Sequence, residues 1–265
     1  MWQRFRQWRR RRIVAAGSLD DAQWGRALAR LPFLQTLDTA EQQRLRECVL
    51  LFLHEKAIQG AAGLALDDEM RAVIAAQACI LILNLDIDYY RGWVEVIVYP
   101  AEFVPTIEFV DEDGIVHTGR SALAGEAWLD GPVILSWADV APATDGSGVN
   151  VVVHEFAHKL DMLNGDANGF PPLHADMSRE RWASVFAAAY ADFGRRIAAD
   201  EELAIDEYAA ESPAEFFAVL SEAFFEIPDV VTRLYPDVYA QLAAFYRQDP
   251  AARRARSPNG LSLRA

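Results

Sequence analysis

The tightest constraint on this chain is a single helical turn, His154-Glu155-Phe156-Ala157-His158, preceded by Val151, Val152 and Val153. On a helix, histidines at i and i+4 project from one face about one turn apart. That spacing lets two neutral ring nitrogens bind one Zn²⁺ at about 2.0–2.1 Å each. Glu155, one position on, lies beside the metal rather than on it. There a carboxylate can take a proton from an attacking water and later deliver it to a leaving amine. The three valines fit a buried first turn that keeps the local dielectric low. The bland alternative is a buried helix with two satisfied histidines. With only five histidines in 265 residues, the metal reading is the stronger one.

A hydrolytic zinc needs a third protein ligand and one open position. The motif extension that carries a nearby third histidine is absent, because Asp161 and Asn164 occupy its Gly and His places. The ligand must therefore come from farther along, and the stretch from Tyr208 to Ala218 is the best source. Glu215 starts an apolar helix with Phe216, Phe217 and Val219. It has a second reading, since Ser212, Pro213 and Glu215 also spell a capping box with proline at the first helical position. Glu211 and Glu222 are the fallback ligands. Asp161, three residues after His158, shares its helix face and suits either a partner for a ligand imidazole or a solvated acid.

Length bounds the rest: 265 residues make one large domain or two small ones. The formal charge of −14 repels phosphate backbones, so direct nucleic-acid binding is not expected. Residues 1–12 run against that trend with six Arg and no acid, interleaved with Trp2, Phe5 and Trp8. This arm reads as a solvated helix, or as a contact for an acidic surface or anionic lipid. No solid apolar segment follows it, which argues against a secretory signal. Ala72 to Leu85 is too short for the roughly 20 residues a membrane span requires. Cys48 and Cys79 lack CxxC spacing and read as buried thiols of a reducing compartment. A cytoplasmic protein is expected.

Apolar periodicity predicts helices through residues 19–90, with Asp67 to Leu83 apolar nearly all round and therefore central. Alternation from Val94 to Val98 predicts a strand ending at Pro100. Ile115 to His117, Ala124 to Leu129 and Val133 to Trp137 read as further short strands, and Asp111 to Gly114 has Asp-Gly turn chemistry. Helices return at 150–164, Arg179 to Ala198, Pro213 to Glu226 and Val238 to Arg247. The order of helices, small sheet and helices predicts an α+β fold. The expected organisation is a basic arm (1–14), a helical N-terminal part (15–92), a metal-binding core (93–250) and a mobile tail (251–265), in one compact unit.

The segments HEFAHKLDMLNG, EYAAESPAEFFAVLSEAFFE and YPDVYAQLAAFYRQDP resemble the Mlc titration factor A family of bacterial zinc metallopeptidases. The similarity runs through most of the chain and is strongest from Val151 to Pro250. The catalytic part of that family is similar to anthrax lethal factor, whose EFFA glutamate is the third zinc ligand; here that position is Glu215. The lethal factor tyrosine seven residues earlier matches Tyr208, which implies a phenol that hydrogen-bonds the oxyanion. The resemblance also implies a histidine near the metal at His117, which from the residues alone is a lone strand-end histidine. It further implies a zincin-like, gluzincin-type core built on a small mixed sheet and the HExxH helix. One Zn²⁺ per chain would be held by His154, His158 and Glu215. Aminopeptidase-like hydrolysis of peptides and binding to the transcriptional repressor Mlc are implied with it. Val133 to Trp137 would offer an edge to an extended peptide. The competing reading is a non-catalytic repressor-binding protein with a structural or latent zinc site.

Overall fold

A computed structural model describes residues 2–17, 19–101, 106–110, 116–120, 125–127, 131–141 and 146–256. The side chains of residues 2, 3, 106–110, 116–120 and 125–127 fall outside that description.

The chain opens with helices α1 (Trp2–Ala16), α2 (Asp21–Ala29) and α3 (Thr39–Glu55). Asp38 caps α3 by accepting from Glu41 N, and Glu41 accepts in return from Asp38 N, a complete capping box. A short strand, β1 (Ala57–Gly60), leads to α4 (Asp68–Leu81). Every residue of α4 from Ala72 to Leu81 is buried, as a pattern apolar nearly all round requires, and Gln77 within it donates back to Val73 O. This central helix packs against α2 and α3.

The sheet region supplies β2 (Glu95–Tyr99), β3 (Thr106–Val110), β4 (Val116–Arg120), β5 (Gly125–Ala127) and β6 (Val133–Ser136). Its main sheet runs β1-β2-β6-β5, with three parallel strands and β5 antiparallel to β6. β3 and β4 form a separate antiparallel pair. Four of these strands coincide with sequence expectations. β1 and β3 do not, since β1 buries only Ile58 and is too short to carry an alternation signal. The expected peptide-facing edge is corrected: β6 lies between β2 and β5, so both its hydrogen-bonding sides are taken. Among the described residues β5 ends the sheet.

After α5 (Trp137–Val140), helix α6 (Val151–Asp161) follows, and then α7 (Arg179–Ala198), α8 (Pro213–Glu226), α9 (Pro228–Leu234), α10 (Pro236–Tyr246) and α11 (Pro250–Arg256). α6 packs on α4 behind and α8 in front. Phe156 anchors its rear face, with ring centroids 5.7 Å from Phe52, 5.1 Å from Tyr90 and 5.6 Å from Trp93. Trp182, Phe186, Phe216, Phe217 and Phe245 form a second aromatic cluster that joins α7, α8 and α10. No helix among the described residues is long and apolar enough to cross a membrane.

The described residues near both ends of the chain pack on the rest of it. α1 docks on the chain's own acids: Arg6 pairs with Asp88, and Arg10 reaches Asp86 (3.0 Å) and Asp88 (2.7 Å). α11 carries residues 251–256, the first part of the expected mobile tail, in helix, and residues 257–265 lie outside the described ones. Arg253 is buried there, donating to the Glu41 carboxylate at 2.8–2.9 Å. Glu41 thus caps α3 and anchors α11 at once. Arg253→Ala leaves that carboxylate half-satisfied and should cost about 1–3 kcal/mol. Urea unfolding should show it as a lower midpoint at unchanged slope; an unchanged midpoint would mean the ion pair adds nothing.

Candidate metal centre

Two helices build the site. Asn150 caps α6, its Oδ1 accepting from Val153 N at 3.0 Å, and the three valines that follow are buried. Ser212 caps α8 by accepting from Glu215 N at 3.1 Å, with Pro213 in the first turn. The reciprocal half of that capping box is not made, because the Glu215 carboxylate turns to α6 instead. His154 Nε2 and His158 Nε2 lie 2.9 and 3.2 Å from Glu215 Oε2, and 3.1 Å from each other.

Three donor atoms at these separations form a triangle of the right size for a small cation. Ligands at about 2.0–2.1 Å around a tetrahedral zinc stand about 3.3 Å apart. Two imidazoles and one carboxylate also suit Zn²⁺ better than an all-oxygen metal such as Ca²⁺. Among the described residues, these three side chains form the group able to hold a metal ion. His154 is oriented from behind: its Nδ1–H donates to Glu222 Oε1 at 2.7 Å, directing Nε2 toward Glu215. Glu222 also accepts from Asn150 N, and Asn150 Nδ2 donates to Glu226 Oε1 at 2.8 Å.

The charges follow from this packing. Burial works against the His154 imidazolium, but Glu215 and Glu222 on its two nitrogens more than offset it and raise its pKa well above the usual value. Proton and metal therefore compete for the same nitrogen. Burial also acts to raise the Glu215 carboxyl, yet hydrogen bonds from His154 and His158 bring it down to about 2. Glu155 behaves oppositely. Burial pushes its carboxyl up to about 7, opposed by both histidines and reinforced by Glu215 and Glu222. A value near neutrality is what a proton shuttle needs.

Tyr208 precedes α8 in a short 3-10 turn, Glu207–Ala210, and its ring centre is 6.0 Å from that of His154. It is 48% exposed. Burial of the rest of the ring, with Glu215 and Glu155 nearby, raises its pKa, so the phenol stays protonated at neutral pH. Asp161 is fully buried rather than solvated, and its Oδ2 accepts from Asn168 N and Gly169 N, both at 2.7 Å. Its Oδ1 and the Nδ1 of His158 make no hydrogen bond among the described residues. The loop that Asp161 holds abuts the start of α8. Gly169 has φ +76, and a Cβ there would meet Pro213 O at 2.4 Å. His117 pairs with Phe109 in the β3–β4 ladder, and its side chain lies outside the described residues. His174 is structural, its Nε2 2.8 Å from Phe245 O.

The glucose-regulated metallo-peptidase M90 family matches residues 5–247. The chain belongs to the M90 metallopeptidase family. It is 40% identical over 242 residues to Mlc titration factor A of Escherichia fergusonii, covering 91% of each chain. Its identity to the Klebsiella pneumoniae protein of that name is 40% over 240 residues, 90% of this chain and 89% of that protein. For the Serratia proteamaculans protein the figures are 41% over 239 residues, 89% and 90%.

The M90 chain's donor set fits the metal that a metallopeptidase family implies. Sequence reasoning counted Glu222 as a spare ligand and overlooked Asn150 and Glu226. A signal was present: Glu215, Glu222 and Glu226 fall at i, i+7 and i+11 on one face of an otherwise apolar helix, where buried acids must find partners. Glu222 supports His154 and does not enter the donor triangle. Glu222→Ala in this M90 chain should therefore weaken zinc binding about 10–100-fold, read by chelator competition. Unchanged affinity would reduce Glu222 to a helix-packing group.

Proposed function

We propose that this M90 chain is a zinc-dependent peptidase with aminopeptidase-like activity, holding one Zn²⁺ on His154, His158 and Glu215. The observation that carries the reading is the donor triangle of 2.9–3.2 Å edges on the helix that also bears Glu155. A bound Zn²⁺ would supply Lewis acidity toward the peptide carbonyl and lower the pKa of a water it holds. Glu155 takes a proton from the attacking water and delivers it to the leaving amine, a task its raised pKa suits. Tyr208, protonated and beside His154, donates to the oxyanion that develops as water adds. Asp161 holds the 168–169 backbone against α8 and so steadies the approach of Glu215 to α6. β5, at the end of the sheet and packed beside α6, is the strand best suited to pair with an extended peptide. The aminopeptidase-like preference rests on the family resemblance alone.

The name shared by the relatives supports a second role, binding the repressor Mlc. That role belongs in the cytoplasm, and the free thiols Cys48 and Cys79 suit a reducing compartment. A non-catalytic repressor binder with a structural zinc would hold metal and turn nothing over.

Two measurements separate these readings. Glu155→Gln should retain zinc and Mlc binding while abolishing hydrolysis of aminopeptidase substrates; a wild type that binds zinc without turnover would favour the structural site. Tyr208→Phe should keep zinc and fold while kcat and kcat/KM fall together by about 10²–10³. An unaltered kcat would remove the phenol from the chemistry.

A further inference from the structure

Helix α1 carries charge and apolar surface that the metal centre does not use. Its inner side, with Arg6, Arg10 and Ile13, faces the rest of the protein, and Arg6 and Arg10 are committed to Asp86 and Asp88. No acid occurs anywhere in the helix. Arg4, Arg9, Arg11 and Arg12 are exposed and make no ion pair among the described residues. Phe5 and Trp8, 57% and 50% exposed, stack with ring centres 5.8 Å apart, and the Arg12 guanidinium lies 4.9 Å above the Trp8 ring. Arg4, Phe5, Trp8, Arg11 and Arg12 form one stripe at helical spacing. Arg9 lines two flanking clefts, one with Trp8, Leu50 and Leu53, and one where Arg6, Arg10 and Arg91 surround Asp88.

We propose that α1 is a peripheral contact for an anionic lipid bilayer. Phe5 and Trp8 enter the headgroup region, and Arg4, Arg9, Arg11 and Arg12 meet the lipid phosphates. A helix lying in the interface uses this combination of aromatic anchors and cations. Arg6 and Arg10 hold the helix so that the stripe faces outward before any contact is made. Charge complementarity alone would also admit nucleic acid. One observation favours lipid: the outward aromatic pair offers apolar area that a phosphate backbone does not cover. One short helix gives weak, reversible binding.

Co-sedimentation of the full chain with vesicles tests this. Vesicles of phosphatidylcholine and phosphatidylglycerol should carry the protein down, whereas phosphatidylcholine alone should not. Raising NaCl from about 50 to about 500 mM should weaken binding at least tenfold. R4Q/R9Q/R11Q/R12Q, which spares the docking arginines, should lose roughly a hundredfold or more in affinity. F5S/W8S keeps every charge and should lose about tenfold. These positions are remote from the metal ligands in sequence, so zinc content and thermal unfolding serve as fold controls, and either variant suffices if the other unfolds. The proposal fails if anionic vesicles bind no protein, if neutral vesicles bind equally, or if F5S/W8S binds like the wild type. It fails equally if duplex DNA binds more tightly than the vesicles at the same salt.

Discussion

Buried carboxylates in an apolar helix are the constraint on which this architecture turns. α8 buries nearly all of its length, yet carries Glu215, Glu222 and Glu226 along one face. An unpartnered buried carboxylate costs several kcal/mol, so α8 is stable only against a surface rich in donors. α6 is that surface. Asn150 gives one N–H to Glu222 and its side-chain amide to Glu226, His154 gives Nδ1–H to Glu222, and both histidines face Glu215. A sliding of either helix by one turn would strand all of these groups. The same contacts that make α8 tolerable in the core also set the two Nε2 atoms and Glu215 Oε2 at fixed separations.

Everything behind this pair keeps it rigid. α4, buried on all sides from Ala72 to Leu81, backs α6 from within, and Phe156 is held among Phe52, Tyr90 and Trp93. On the other side the aromatic cluster around Trp182 supports α8 through Phe216 and Phe217. Gly169 permits the loop held by Asp161 to approach the first turn of α8 more closely than any residue with a Cβ. A rigid surround of this kind keeps donor atoms within the tolerance that a small cation demands.

The helical half was largely legible in advance. Arg179–Ala198 and Pro213–Glu226 have the bounds that periodicity and caps predict, and the nearly all-round apolar character of α4 marked the centre of the core. The sheet was less legible. β1 contributes one buried side chain, and its parallel partner β2 begins 35 residues after β1 ends, so nothing local announces the pairing. The location of β6 between two neighbours was equally invisible, because strand order is a property of the crossovers and not of any one strand.

For the site, sequence by itself determined the helical spacing of His154 and His158 and the adjacent carboxylate of Glu155, and a metal held there would need a third donor from farther along. Those follow from helix geometry and coordination chemistry, both local in kind. Sequence left Glu215 divided between cap and ligand, and left Glu222 as a spare. Only the tertiary structure brings α8 against α6, so that the Glu215 carboxylate meets two Nε2 atoms while its N–H keeps the Ser212 cap, and Glu222 reaches the opposite nitrogen of His154. The physical reason is distance along the chain: 57 to 68 residues separate these partners, and only packing of the two helices sets which oxygen meets which nitrogen.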